Sequence, residues 1–552
     1  MSRSRAGAWL VAFVVGVMCS SAIFSPWVDA GFDLEDFSEF VPLLQAGGGV
    51  GDQFTRLVTY YADQGRWNIA VYGALVAKWQ LLGATPIAWQ WLRVTELVVL
   101  ACLFAGTLRA FQYSKLAAGA AASMLLATSA GAASFQRMTL SEPLAVCTIL
   151  VAMLVALRYQ ETRHWRPVGV GLAVLCFVLI AVKEVLFIGV VPVCILAMTW
   201  RRRMMVWPRW SRRERWLVTW VAVALVAASL PVLASALTAD GMAYVSDYDL
   251  HRVSATRVGR VALWTALPVQ AVVPRPDVLI MYPANVLALV LSTATVIVVW
   301  RRRDWPAGAR MVALYAAPAL TAGLLYSPWP RFEPFYALPF CLGAMAVFGA
   351  SIDAAALYGK TAKVAVAATA VVAIAYAAVP AHGTTAERMA HRALMSRVVA
   401  IVADEPTGGQ IVIETPQGSS SWQALAATVG RVAGTVNSED RSTRVLAAKC
   451  GEGQTLAGVS QALVLSVAYC ASSWGTGIPI LVERYMALEW TSGAIRADSA
   501  FIGISRTASS GTAFAPNEEQ LDMAEAPRQS MTSSGASVHP AGVPEANHRG
   551  AR

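Results

Sequence analysis

"MSRSRAGAWLVAFVVGVMCSSAIFSPWVDAGFDLEDFSEF", Met1 to Phe40, runs from a basic start through a long apolar stretch into four carboxylates, Asp33, Glu35, Asp36 and Glu39. The apolar stretch is roughly 22 residues long, enough at ~1.5 Å per residue to cross ~30 Å of hydrocarbon. It is longer than the core of a cleavable signal and lacks a small-residue cleavage site, so it reads as an anchor that stays. The carboxylates of "GFDLEDFSEF" (31–40) are then expected where the chain leaves the membrane.

The rest of the chain repeats the apolar theme. Of 552 residues, 56% are hydrophobic and only 14% charged, which excludes an ordinary soluble enzyme and predicts a polytopic membrane protein. The net charge of +10 gathers in short clusters between apolar runs, as in "RRRMMVWPRWSRRER" (201–215) and "WRRRDW" (300–305). That placement is a topology signal, and nucleic acid is not an expected partner.

Beyond the anchor, spans are expected at about Pro86 to Leu108, Leu116 to Phe135, Leu140 to Leu157, Pro167 to Val182 and Val185 to Trp200. More follow at Trp216 to Leu237, Val278 to Trp300, Met311 to Tyr326, Phe335 to Ala355 and Val364 to Val379. With the N-terminus in the cytoplasm, the inner loops carry about 20 Lys and Arg in roughly 55 residues, against about 10 in roughly 110 outside. The same bias favours a hairpin breaking at "VKEV" (182–185) over one long helix from Pro167 to Trp200. Eleven spans put everything after Val379 outside a plasma membrane. That region has β-like runs ("QIVIET", "RVLAAK", "AFIGIS") and a helix-like "SWQALAATVGRVAGTV", which predict a small extracytoplasmic α/β domain over residues 381–505. Residues 506–552, rich in Ser, Ala, Gly and Pro, are expected to be a disordered tail.

Six of the eight cysteines fall in apolar runs and read as small buried residues. Cys450 and Cys470 fall in the outer domain, where an oxidising surround would allow a disulfide. No metal-binding spacing of Cys or His occurs.

The topology gathers the unusual charges on the outer side. The first outer loop, residues 29–85, holds the carboxylates and an apolar, aromatic "RWNIAVYGALVAKWQLLG" (66–83) that suits a helix lying along the interface. A carboxylate at such a boundary can deprotonate a hydroxyl or hold a divalent metal beside a lipid phosphate; a solvated loop is the plainer account. Arg137 and Glu142 flank the fourth span, Lys183 and Glu184 the hairpin break, and Arg331 and Glu333 the "YSPWPRFEPFYALPF" segment (326–340). Charges beside spans are costly and usually pair or serve a polar cavity. Arg93 and Glu96, three residues apart in the second span, are expected to neutralise each other, and Asp353 to be structural. The fourth outer loop, residues 238–277, holds Asp247, Asp249, His251, Arg252, Arg257 and Arg260, an Arg set that suits either phosphate binding or an ordinary wet loop.

Over roughly residues 6 to 380 this layout resembles the GT-C integral-membrane glycosyltransferases, which include the protein O-mannosyltransferases and the lipid A aminoarabinose transferases. The resemblance rests on "DLEDF" (33–37) after the first span, Ser141-Glu142 at the start of a later one, the Lys183-Glu184 break and "PWPRFEPFYALPF" (328–340). It implies a mainly α fold and an enzyme that uses a sugar on a polyprenyl phosphate or diphosphate, passed to a glycan, lipid or protein acceptor outside the membrane. It further implies that Asp36 or Glu35, with Asp33 two positions before, serves as base or metal ligand, so that a divalent cation is compatible with the site. The sequence departs from the family's adjacent aspartates in reading Glu-Asp. Lys183, Arg331, Arg252 and Arg257 would bind the donor phosphate, with Glu142, Arg137, Glu184 and His251 in support. The competing readings are a transporter or flippase for lipid-linked sugars, against which no internal repeat is seen, and a noncatalytic envelope-assembly protein.

Overall fold

A computed structural model describes residues 40–45, 48–62, 66–136, 140–183, 212–238, 253–270, 282–302, 316, 318–328 and 334–403, and the strand residues 410–415, 444–449, 462–467, 477–491 and 494–507. The first span, the span at 185–200, Cys450, Cys470 and the tail beyond residue 507 lie outside them.

Three helices follow the acidic segment: α1 (Val41–Gln45), α2 (Val50–Ala62) and α3 (Ile69–Leu82). α2 is amphipathic and buries Gln53, Leu57 and Tyr61 at steps of four residues, one face of a helix. α3 has 14 residues, about 21 Å at ~1.5 Å per residue, too short to cross the bilayer. It packs on α2 and on two long helices, α4 (Pro86–Ala110) and α8 (Trp165–Val182).

Long apolar helices form most of the remainder: α7 (Glu142–Glu161), α9 (Arg212–Thr238), α11 (Pro283–Arg301), α12 (Leu338–Ala356) and α13 (Lys360–Ala403), beside α4 and α8. Among the described residues, seven helices are long and apolar enough to cross a membrane, or eight if one bent pair counts as a span. The chain is thus a multi-pass membrane protein rich in helix. Two buried clusters organise it. One joins α4, α5 (Lys115–Ala127), α12 and α13; the other joins α1–α3 to α7, α8 and the start of α9.

The structure adds detail to three of the expected regions. The expected span from Leu116 to Phe135 is a bent pair, α5 and α6 (Ser129–Gln136), turning through 62°. Thr128 makes the break: its backbone is extended, its hydroxyl donates to the Leu125 carbonyl and accepts from the Gly131 amide, and the next helix starts from that cap. Gly131 permits the turn, since a Cβ there would lie 2.5 Å from the Leu125 oxygen. The fourth outer loop contains a capped amphipathic helix, α10 (Ala255–Ala266), in which Ser254 accepts from the Arg257 amide and Val261, Ala262 and Thr265 are buried. Finally, α13 runs through Pro380 to Ala403, beyond the expected end of the last span at Val379.

The chain divides into two compact units, the first built on Met1–Glu405 and the second holding most of the strands. β1 (Gln410–Thr415), β2 (Arg444–Lys449), β3 (Ala462–Val467), β4 (Gly477–Thr491) and β5 (Ala494–Thr507) form a mixed sheet of order β2-β1-β3-β5-β4. β1 runs parallel to β2 and β3, and β3 antiparallel to β5, pairing Leu465 with Ile504. β3, "ALVLSV", reads as a near-continuous apolar run, the pattern of a strand covered on both faces, and β1 has the apolar centre "IVI".

Candidate functional site

The site is built where α7 begins and α8 ends. Ser141 precedes the first turn of α7, which puts the Glu142 carboxylate at a helix N-terminus, where the macrodipole favours negative charge. Glu142 is nonetheless only 1% exposed, so it needs a cation. Lys183 supplies it: α8 stops at Val182, and the following residue turns out of the helix so that its ammonium donates to Glu142 Oε1. The same ammonium lies 4.4 Å from the centre of the Tyr336 ring, a cation–π contact.

Tyr336 belongs to a 3-10 turn, Pro334–Ala337, that leads into α12. The turn packs against α6, and Tyr336 stacks on Tyr326 with centroids 5.5 Å apart. The bend at Thr128 is therefore part of the site's scaffold, because it carries α6 to the turn that holds Tyr336.

A second ionic group stands beside the first. Arg93 of α4 donates through Nη2 to the Leu140 carbonyl at 3.1 Å, two residues before Glu142, and through Nη1 to Glu96 Oε2 at 2.5 Å. Lys78 of α3 donates to the other Glu96 oxygen, also at 2.5 Å. One carboxylate thus bridges two cations from different helices, and Arg93 links that bridge to the start of α7. Burial, followed by the neighbouring Arg93, pushes the Lys78 ammonium down to about 8.

The approach from the acidic segment is also fixed. Gln53 Nε2 donates to the Leu44 carbonyl at 2.8 Å, Gln80 Nε2 donates to Gln53 Oε1 at 2.7 Å, and Arg56 Nε donates to the Leu43 carbonyl at 3.1 Å. Val41 and Leu44 share a buried cluster with Ala145 of α7 and Val182 of α8. The chain leaving Phe40 is thereby tied to the elements that carry Glu142 and Lys183.

Of the residues expected from the sequence, Glu142 and Lys183 meet. Arg257 stands in the first turn of α10, a helix whose Val258 backbone closely faces Gly323. Asp33, Glu35, Asp36, Arg137, Glu184, His251, Arg252 and Arg331 lie outside the described residues. Arg93 and Glu96 do pair, but with Lys78 as a third member that sequence reasoning passed over. The signal was a lone lysine in an apolar helix, "YGALVAKWQLL". Tyr336 was missed as a cation partner because its role depends on a contact between residues far apart in sequence. Asp353 is structural as expected: Oδ2 accepts from the Ser114 amide at 2.8 Å. Among the described residues no three His, Cys, Asp or Glu side chains gather as a metal site.

Neither a protein-family model nor a curated protein matches the chain. Among solved structures it is similar to the crystal structure of ArnT from Cupriavidus metallidurans bound to undecaprenyl phosphate, with 11% identity and a TM-score of 0.47, over 92% of this chain and 99% of that one.

Proposed function

We propose that this chain is a plasma-membrane glycosyltransferase of the GT-C type, which moves a sugar from a polyprenyl-phosphate or diphosphate donor to an extracytoplasmic glycan, lipid or protein. The observation that carries the reading is the meeting of Glu142, Lys183 and Tyr336. They come from three of the four segments on which the sequence resemblance rests. The fourth segment, Asp33 to Asp36, precedes Val41 by only a few residues, and Val41 lies in the cluster that also holds Ala145 and Val182.

In this reading a first-loop carboxylate, Asp36 or Glu35, takes the proton of the acceptor hydroxyl. The hydroxyl oxygen bonds to the anomeric carbon, the bond from that carbon to the phosphate oxygen breaks, and the electron pair leaves with the polyprenyl phosphate. Lys183 offsets the charge that develops on the leaving phosphate. An ammonium has three donors, so it can hold Glu142 and still offer a proton to a phosphate oxygen. Glu142 aims Lys183, and Arg93 fixes the start of α7 that carries Glu142. No step is assigned to a divalent cation.

The test compares the polyprenyl-phosphate sugar pool in cells lacking the protein with cells complemented by wild type or by the Glu35→Gln, Asp36→Asn double variant. One lipid-linked sugar should accumulate in the null and double-variant cells and be cleared by wild type. A double variant that inserts normally and clears the pool as wild type does would sink the assignment, and favour transport or assembly.

A further inference from the structure

The end of the bundle where α7 leads into α8 and α9 begins carries a second, unrelated arrangement. Arg213 is turned inward. Its Nη2 donates to the carbonyls of Tyr159 and Thr162, both at 2.6 Å, and its guanidinium covers the rings of Tyr159 at 5.0 Å and Trp165 at 5.6 Å. Tyr159 returns a hydrogen bond from its hydroxyl to the Arg213 carbonyl at 2.9 Å. This clamp ties the α7–α8 turn to the first turn of α9. Three tryptophans continue it, with Trp165 edge-on to Trp216 at 5.4 Å and Trp216 5.9 Å from Trp220. Gly169 is required under Trp216, where a Cβ would lie 2.6 Å from the indole.

Around the clamp, Arg158, Arg163, Arg166, Arg212 and Arg215 are all exposed, whereas Glu214 is buried. The guanidinium of Arg166 lies over the Trp165 ring at 5.4 Å. From this crest an apolar track descends α9: Trp220, Val223, Val226, Leu230 and Leu233 are exposed at helical spacing. We propose that this crest is a binding site for an anionic glycerophospholipid, whose phosphate is held by Arg163, Arg166 and Arg215 while its acyl chains lie along the α9 track.

Charge and shape both select this occupant. Arginine offers a fork that matches phosphate oxygens, and basic pockets between spanning helices on the cytoplasmic side suit anionic headgroups. The charge bias of the loops puts this end in the cytoplasm. A soluble polyanion would use the arginines but not the apolar track, and a zwitterionic lipid would use the track but set an ammonium beside its phosphate, which the clustered arginines repel. Scattered arginines would serve topology alone equally well. Here Arg213 turns inward, and its Nη2 orders the surface that the others occupy.

The test takes the full chain in zwitterionic detergent and titrates it with dioleoyl phosphatidylglycerol or dioleoyl phosphatidylethanolamine, counting retained lipid by native mass spectrometry. Wild type should retain the phosphatidylglycerol at least about tenfold more strongly, even in excess inorganic phosphate. The triple variant Arg163→Gln, Arg166→Gln, Arg215→Gln should lose that preference, since each surface arginine contributes roughly fivefold. The corresponding triple change to Lys should restore most of it, and Arg301→Gln with Arg302→Gln should leave it intact. Equal retention of the two lipids by wild type would overturn the proposal without recourse to any variant. Displacement by inorganic phosphate, or equal loss in the Arg301, Arg302 variant, would also overturn it.

Discussion

The two ends of α7 treat charge in opposite ways. At its start, Glu142 is buried and answered by Lys183, with Glu96 answered twice, by Lys78 and Arg93. At its other end, Arg158, Arg163, Arg166, Arg212 and Arg215 stand exposed around a single inward arginine. The first arrangement fixes Lys78 and Lys183 to carboxylates of other helices and Arg93 to one on its own, and depends on the exact packing of α3, α4, α7 and α8. The second leaves its cations to solvent and lipid headgroups, and only Arg213 depends on packing. Charge at one end is therefore part of the architecture, while at the other it is presented by the architecture.

The largest effect expected from this contrast comes from removing one member of the buried pair. Lys183→Met leaves the Glu142 carboxylate with no ammonium beside it, and breaking a buried pair in this way costs about 3–5 kcal/mol. Joining Glu142→Leu to Lys183→Met removes the stranded charge and should return most of the lost stability without restoring transfer. Thermal unfolding of the purified protein in detergent checks the first half, and the lipid-linked sugar pool the second. A single variant as stable as wild type would mean that Glu142 finds another partner or takes up a proton at little cost.

The sequence made one end of this contrast far easier to read than the other. Apolar runs and Arg clusters are local properties, so α4, α7, α8, α9, α11 and α12 fall close to the expected spans. The start of α7 and the end of α8 were also legible, because a charge beside a span is conspicuous wherever it occurs. Lys78 was not, because a lone lysine on an amphipathic or interfacial helix normally snorkels to water. Its burial against Glu96 is decided by how α3 lies on α4, which no local pattern encodes. The bend at Thr128 was hidden for a related reason. "LATSAG" is apolar enough to continue a helix, and it is stopped by the hydroxyl's choice of the Gly131 amide together with the Ser129 amide's bond to the distant Pro268 carbonyl.

A smaller effect tests the exposed end. Arg163→Gln alone should change the unfolding midpoint by no more than the equivalent of about 0.5 kcal/mol, as for other surface changes that break no buried contact. Arg213→Gln, by contrast, removes the hydrogen bonds to the Tyr159 and Thr162 carbonyls and should destabilise clearly in the same assay. If the two variants behave alike, Arg213 is one more surface charge and the contrast between the inward arginine and its neighbours fails.

A separate effect is a pH dependence at Lys78. Burial, with Arg93 adding repulsion and Glu96 opposing it, holds this ammonium at about 8 in the folded chain, against its ordinary value of 10.5. Below about pH 8 both folded and unfolded chains carry the proton, and the group's contribution to stability is constant. Between about 8 and 10.5 the unfolded chain holds more protons than the folded one, so this contribution rises with pH across that window. The deprotonated amine no longer repels Arg93, and Arg93 still holds Glu96, so the network loosens without collapsing. Lys78→Met should remove the trend. Unfolding midpoints of wild type and variant, measured from pH 7.5 to pH 10.5 in one detergent, should therefore diverge in favour of wild type as pH rises. A constant difference across the window would mean that Lys78 keeps its proton throughout, with the attraction of Glu96 outweighing burial and Arg93 together.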